Sequence, residues 1–357
     1  MIEISWFFIL SLLLIFSFLR FFLISWWDKR EETIFPDYNP NVILIIPCKG
    51  VDIQMERNLR SFLNEDYDRL KIVAVIDSLD DPSVEIIKKV GMDFIISDST
   101  YKGSGKVKAI STAINQFRER DVYVMADSDT EVPKDWIKFL VNPLLDPSIG
   151  VVTTYPIYEP FNNFNFWSMI KKVWGFLGIN MMEFRPSRFA WGGSMAIRKD
   201  LLSDEDFEYF SSSVSDDAAI TRICSKKNLA IYYSKKSTPK VHVDETRSTF
   251  VEWATRQMAI SISHSRMAFS AGLTLYLSII VYMFALIPLS ILITNYFLLG
   301  YIPFLLTMII NARRTDKNKI SIFFLSFIMP PIFLYNLING KMKTHIEWRG
   351  TKYKLQK

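Results

Sequence analysis

The sequence predicts an α/β protein: a Rossmann-like, mainly parallel sheet with transmembrane helices at both ends. Three observations carry this. Short apolar runs rich in β-branched residues alternate with helical stretches between residues 41 and 154. Half of the 357 residues are hydrophobic, and the excess lies at the two ends. The middle, residues 28–270, has ordinary mixed composition and is long enough to bury a substantial core.

The first strand is Asn41–Pro47, a continuous apolar run that suits a strand covered on both faces. Leu59, Phe62 and Leu63 give one helical face. Lys71–Ile76 is a second strand ending at Asp77. A helix follows over Pro82–Val90, with proline suited to its first turn. Phe94–Ile96 is a third strand, Lys106–Phe117 a helix, and Asp121–Ala126 a fourth strand ending at Asp127. Pro133–Leu145 reads as a helix and Gly150–Thr154 as a strand. Such βαβ units imply a mainly parallel sheet, and ligands then sit beyond the carboxyl ends of the strands. Asp77 and Asp127 both fall there.

Residues 1–27 are read as a retained transmembrane anchor. Ile4–Trp27 is apolar except for Arg20, which is near enough to the end to snorkel. Residues 271–311 hold two crossings joined near Asn295–Tyr296. The run Ile320–Ile338 contains Pro330-Pro331, which implies a kinked crossing or a re-entrant segment. Lys29-Arg30 and the basic loop 313–319 place the soluble part on the cytoplasmic side of a cell membrane. The remaining divisions are residues 28–247 as catalytic domain, 248–270 as an amphipathic interface helix and 312–357 as a basic loop, broken segment and tail.

Net charge is +5. From Ala312 onward there are ten Lys/Arg and two acids, so this tail carries +8 and the rest −3. A basic tail beside apolar runs suits anionic lipid head groups. Nothing suggests a nucleic-acid partner. Cys48 and Cys224 stand alone, without a disulfide framework, and read as core residues of a reducing compartment. His242, His264 and His345 have no metal-ligand spacing.

The first strand is followed by no GxGxxG, which argues against a dinucleotide site, and Lys102–Val107 fails the P-loop spacing. Asp127-Ser128-Asp129 at a strand end can share a hard divalent cation, Mg2+ or Mn2+, that would neutralise a diphosphate. The same tripeptide would also serve as a turn or helix cap. Asp77 suits hydrogen bonds from a base or ribose, or a simple turn. Pro47 and Lys49, where the first strand ends, are grouped with this nucleotide site. Lys106 opens a helix, where its charge opposes the dipole; a phosphate or an aspartate partner would explain it. Ser215-Asp216-Asp217 is either a helix cap with first-turn acids or a source of a general base. Trp191-Gly192-Gly193-Ser194 permits close backbone approach to a ligand, or a bulge. Arg256 and Gln257, on a helix before the membrane, could face a diphosphate.

Taken in order, strand–Asp77, Lys106, Asp127-Ser128-Asp129, Trp191-Gly192-Gly193-Ser194, Ser215-Asp216-Asp217 and Arg256-Gln257 before membrane helices resemble glycosyltransferase family 2-like proteins of GT-A fold. The likeness is greatest to the ceramide-glucosyltransferase branch and covers about residues 40–270. It implies that Asp77 contacts the base, that Asp127 and Asp129 hold sugar-nucleotide and metal, and that Asp217 is the catalytic base. Arg256 and Gln257 match the start of the (Q/R)xxRW element. Trp191, Gly192, Gly193 and Asp216 would line the acceptor or sugar pocket. Two departures stand out: Asp216 replaces the usual glutamate, and Met258-Ala259-Ile260-Ser261 follows Gln257 where Arg-Trp is expected. The expected activity is inverting transfer of one sugar from a nucleotide-diphosphate sugar, a UDP-sugar by expectation, to a lipid acceptor. Polyprenyl-phosphate transfer and polysaccharide synthesis are the alternatives among enzymes; a transporter or scaffold that only binds a nucleotide is the alternative outside them.

Overall fold

The computed structural model describes residues 34–161, 164–263, 266–348 and 351–355. The expected anchor over residues 1–27 lies outside them. The chain divides into two compact units, one of Glu32–Phe161 with Leu177–Val243, the other of Met1–Glu31, Asn162–Phe176 and Asp244–Lys357.

The first unit is α/β. β1 (Val42–Cys48) is buried along almost its whole length. It is followed by α1 (Met55–Leu63), β2 (Leu70–Ile76), α2 (Ser83–Val90), β3 (Phe94–Ile96), α3 (Gly105–Gln116) and β4 (Val122–Ala126). β1 pairs in parallel with both β2 and β4. Alternate β1 side chains enter opposite layers: Val42, Leu44 and Ile46 pack with α1 residues Leu59 and Phe62, and Ile43 and Ile45 pack with α3 residues Ile110 and Ala113. Both faces are covered, which is why the strand is an unbroken apolar run. On α1 the inward face is Met55, Asn58, Leu59 and Phe62, whereas Leu63 is exposed.

After β4 a two-residue strand, β5 (Thr130–Glu131), leaves the main sheet. The helix expected from Pro133 begins only at Trp136, as α4 (Trp136–Val141), continued by a 3-10 turn over Asn142–Leu145. Asp135 stands before it in the left-handed region (φ 61°), which breaks helical continuity with Pro133. Then come β6 (Ile149–Thr153), β7 (Ile157–Pro160), α5 (Phe166–Glu183, whose residues up to Phe176 belong to the second unit), β8 (Ser194–Arg198), α6 (Asp204–Ser211), α7 (Asp216–Lys226), β9 (Ala230–Tyr233) and β10 (Lys240–Val243). The main sheet has the order β3-β2-β1-β4-β8-β6-β9, and β8 alone runs antiparallel to both neighbours. A small sheet, β5-β10-β7, stands apart from it.

The second unit is helical. α8 (Arg247–Ser263) buries a stripe of Phe250, Ala254, Thr255, Met258 and Ala259. It packs along α12 (Met329–Met342). α9 (Arg266–Leu292) and a helical stretch, Asn295–Arg313, that ends in α10 (Ile302–Arg313), are long and apolar enough to cross a membrane. α11 (Lys319–Phe327) and α12 meet at a 60° bend. The bend falls at Ile328, and the paired prolines occupy the first turn of α12, where no backbone donor is required. If that pair is one broken span, the described residues hold three. A hairpin of β11 (His345–Trp348) and β12 (Thr351–Lys354) closes the chain.

Candidate active site

Asp127-Ser128-Asp129-Thr130 is a turn at the end of β4. Its i→i+3 bond runs from Thr130 N–H to Asp127 O (3.2 Å), and the Thr130 hydroxyl donates to the same oxygen (2.7 Å). Ser128 is buried: its hydroxyl donates to Asp52 Oδ2 (2.5 Å) and its carbonyl accepts from Asn58 Nδ2 (3.1 Å). With the middle residue held inward, the carboxylates on either side remain half-buried.

Lys106 answers the question its position raised. Its ammonium lies 2.7 Å from Asp127 Oδ1 and 3.0 Å from Asp216 Oδ2, with about a tenth of the side chain exposed. α3 is capped by Ser104, whose Oγ accepts from Val107 N–H (3.3 Å). α7 is capped by Ser215, which accepts from Ala218 N–H (3.2 Å). Backbone bonds from Gly103 to Ser211 (2.9 Å) and Ser104 to Ser213 (3.1 Å) tie the two approaches together. A cation in the first turn of one helix thus meets an acid in the first turn of another, each neutralising what the other desolvates. Burial alone would lower the Lys106 pKa, but Asp127 and then Asp216 outweigh it and hold the ammonium well above the ordinary lysine value. Burial pushes the Asp216 carboxyl up to about 6; Lys106 opposes this, while Asp217 and Asp127 add to it.

Gly192 roofs this cluster. A Cβ there would come within 2.0 Å of Asp216 Oδ2 and 2.8 Å of Lys106 Nζ. Gly193 has no room either, since its Cβ would strike the Trp191 indole at 2.2 Å. The four residues form a turn, Ser194 N–H to Trp191 O (3.1 Å), and Gly193 O accepts from Asp127 N–H (3.3 Å). Gly192 is therefore where backbone must pass close to buried charge, and Gly193 where it must pass close to an indole.

Asp217 differs from its neighbour. It is half-buried; its Oδ1 accepts from Ala218 N–H (2.8 Å) and from the Ser215 hydroxyl. Oδ2 takes no hydrogen bond from the described residues, so one oxygen is oriented and the other is open. Lys49 and Asp77, where β1 and β2 end, form a half-exposed ion pair at 3.0 Å. Such a pair contributes only about 0–1 kcal/mol to stability. Pro47 is half-buried at the end of β1. Arg256 and Gln257 lie on α8, in the helical unit, both half-buried.

Several residues carried no motif. Tyr155 and Tyr158 are buried, and the Tyr158 hydroxyl donates to Tyr155. Burial raises both phenols' pKa, with Asp217 adding to Tyr155 and Asp129 to Tyr158. The pair is thus near both acidic centres. Tyr155 packs against Trp191 (centroids 5.7 Å) and Phe189 (6.0 Å), and Gly178 leaves room for its ring. Its one sequence signal is a polar-tipped aromatic just beyond a buried strand, as with Asp77 and Asp127. Glu131, next to the turn, is bonded to His242 Nε2 (2.6 Å) and Arg57 (2.8 Å). Burial would raise its pKa, but these two bonds hold it below the ordinary value. Among the described residues no group of three or more His, Cys, Asp or Glu is arranged to hold a metal. Two carboxylates are nonetheless a suitable donor set for Mg2+ or Mn2+ when a bound diphosphate completes the coordination.

The sequence profile of glycosyl transferase family 21 matches residues 9–357. The chain belongs to that family. As a family 21 member it also resembles the mannosyltransferase PcManGT from Pyrobaculum calidifontis, solved in complex with GDP-Man and Mn2+. The TM-score is 0.56 at 16% identity, over 92% of this chain and 94% of that one, which establishes a shared GT-A fold. Poly-beta-1,6-N-acetyl-D-glucosamine synthase of Staphylococcus aureus is 27% identical over 131 residues, 36% of this chain and 31% of that protein. The chain thus matches about a third of the length of these curated relatives.

Proposed function

We infer that this chain transfers a single sugar from a nucleotide-diphosphate sugar to a lipid acceptor at a membrane surface, with inversion at the anomeric carbon. The observation that carries the reading is the buried Lys106, shared by the carboxylate turn after β4 and the acidic start of α7. Such a bridge keeps a donor-binding turn and a proton acceptor in register.

Asp127 and Asp129 would hold Mg2+ or Mn2+, which when bound neutralises the diphosphate and makes it a better leaving group. The nucleoside would lie where β1 and β2 end, with Asp77 accepting its hydrogen bonds and Lys49 and Pro47 beside it. Arg256 and Gln257 are assigned to the diphosphate. Trp191, Gly192, Gly193 and the Tyr155–Tyr158 pair would shape the sugar pocket. Asp216, turned to Lys106, positions rather than reacts. Asp217 takes the proton of the acceptor hydroxyl as that oxygen attacks the anomeric carbon; the bond from that carbon to the diphosphate oxygen breaks, and the nucleoside diphosphate leaves. The open Oδ2 of Asp217 suits this role.

The apolar helices support membrane residence, and hence a lipid acceptor that need not leave the bilayer; Lys29-Arg30 and the basic loop 313–319 favour the cytoplasmic side. A polyprenyl phosphate is the second acceptor considered. The likeness to a polysaccharide synthase favours a polymer product, but Met258–Ser261 replace the Arg-Trp half of the element associated with processive synthesis. Radiolabelled nucleotide sugars with native membranes, followed by identification of the labelled product, test the reading. One sugar on a lipid is expected; label in a chain of many sugars would overturn it. Full activity in excess EDTA would refute the metal role.

A further inference from the structure

α8 and α12 approach closely where α12 ends. A Cβ at Gly340 would lie 2.9 Å from Ala259 N and 3.1 Å from Met258 Cβ, so only glycine allows this contact. Beyond it the helices leave a cleft of about 40 Å3. Ala259, Ile262 and Leu355 are among its lining residues, and so are Lys341 and Lys343. The Leu355 N–H donates to Thr344 O (3.0 Å), which brings the end of the hairpin to the cleft. The Lys341 ammonium sits over the Phe269 ring (5.1 Å), which directs it to this end of α9. The Ser263 hydroxyl, also in the lining, is committed to Ile260 O (2.7 Å) and has no hydrogen to offer a ligand.

Among the described residues neither lysine is paired with a carboxylate, and no acid lines the cleft. A cation near a helix C-terminus gains something from the dipole. That accounts for Lys341, within the last turn, but not for the apolar floor. The apolar span of α9 begins at Met267, only four residues after Ser263, so in a bilayer this cleft lies level with the head groups. The tail from Ala312 carries +8 on a chain of +5, so positive charge is concentrated here.

We propose that this cleft binds the head-group phosphate of an anionic membrane phospholipid, Lys341 and Lys343 taking the phosphate while Ile262 and Leu355 take the start of the acyl region. The proposal rests on the membrane reading above and is separate from the sugar-transfer site. It gives the basic tail a defined seat rather than a diffuse attraction.

The test uses the full chain in nanodiscs containing a photoactivatable phospholipid, with cross-links mapped by peptide mass spectrometry. Anionic phosphatidylglycerol probe should label residues 259–263 and 341–355 in preference to a zwitterionic phosphatidylcholine probe. Each lysine near a charged surface is worth about fivefold in binding, so Lys341→Gln with Lys343→Gln should cut this labelling about thirtyfold while leaving insertion intact. Equal labelling by both probes, or undiminished labelling of the double variant, would overturn the proposal. Loss of labelling in millimolar inorganic phosphate would make the ligand a soluble anion and overturn the lipid assignment. Failure of the chain to enter neutral nanodiscs at all would instead overturn the membrane reading itself.

Discussion

The α/β unit and the helical unit invert one another. In the first, charge is inside: Lys106 and Asp216 are nearly buried among the strand ends, and the apolar runs of β1 and β4 are hidden on both faces. In the second, apolar surface is outside: along α9, Val281, Phe284, Ile287, Ile291 and Leu292 are all more than half exposed. Polar groups there turn inward, as Asn311 does to Ser326 (3.1 Å). Charge can be buried only where its partners are already in place, and apolar surface exposed at such density marks a face that meets lipid or another protein rather than water. The same rules thus bury charge in one unit and expose apolar surface in the other.

The largest effect is expected at the candidate base. Asp217→Asn should lower turnover by about 100- to 10,000-fold, the usual contribution of a general base, with little change in thermal stability. Unchanged turnover would leave a nucleotide-binding scaffold as the better description. Lys106→Met strands two carboxylates and should cost about 3–5 kcal/mol in denaturant unfolding. Adding Asp216→Asn should recover a large part of that; no recovery would mean that Lys106 is held for another reason. Val281→Asp, mid-way along α9, should cost about 2.5–3.5 kcal/mol in membrane insertion, read as loss of membrane-bound protein. Leu79→Asp, similarly exposed in the α/β unit, should stay within about 0.5 kcal/mol. Equal effects of the two would erase the distinction between the units.

Gly192→Ala comes next, at about 1–3 kcal/mol, because Asp216 is fixed by Lys106 and cannot swing away from a new methyl group. Stability also slopes with pH. Asp216 is raised to about 6, so the folded chain keeps a proton that the unfolded chain sheds near pH 4. Its contribution makes stability fall as pH rises from about 4 to about 6, then level off. Glu131, held below its ordinary value, acts in the opposite sense at lower pH. The difference between wild type and Asp216→Asn across that window isolates the slope, and parallel curves would show that Asp216 is ionised throughout.

The strands were legible because a strand covered on both faces must be apolar at every position, as in Val42–Ile46. The break before α12 was legible because two prolines cannot continue a helix. The late start of α4 was not: Pro133 is a good first-turn residue, and only the left-handed Asp135 denies it the helix. Lys106 was visible as an anomaly, a cation where the dipole disfavours one, but its double pairing joins residues 21 and 110 positions away. Tyr155, Tyr158 and the Glu131–His242 bond had no spacing to reveal them, because their neighbours come from helices, loops and strands far apart in the chain.

By itself the sequence determined the periodicities, and through them the α/β core, the apolar spans and the order of acids that resembles a glycosyltransferase. These are local properties, set by which side chains can face water. The tertiary structure alone decided that Lys106 belongs to Asp127 and Asp216, that Ser128 turns inward, and that Asp217 keeps one oxygen open. Those depend on distances across the fold, and a buried charge acquires its meaning only from the partner that fills its low-dielectric surroundings.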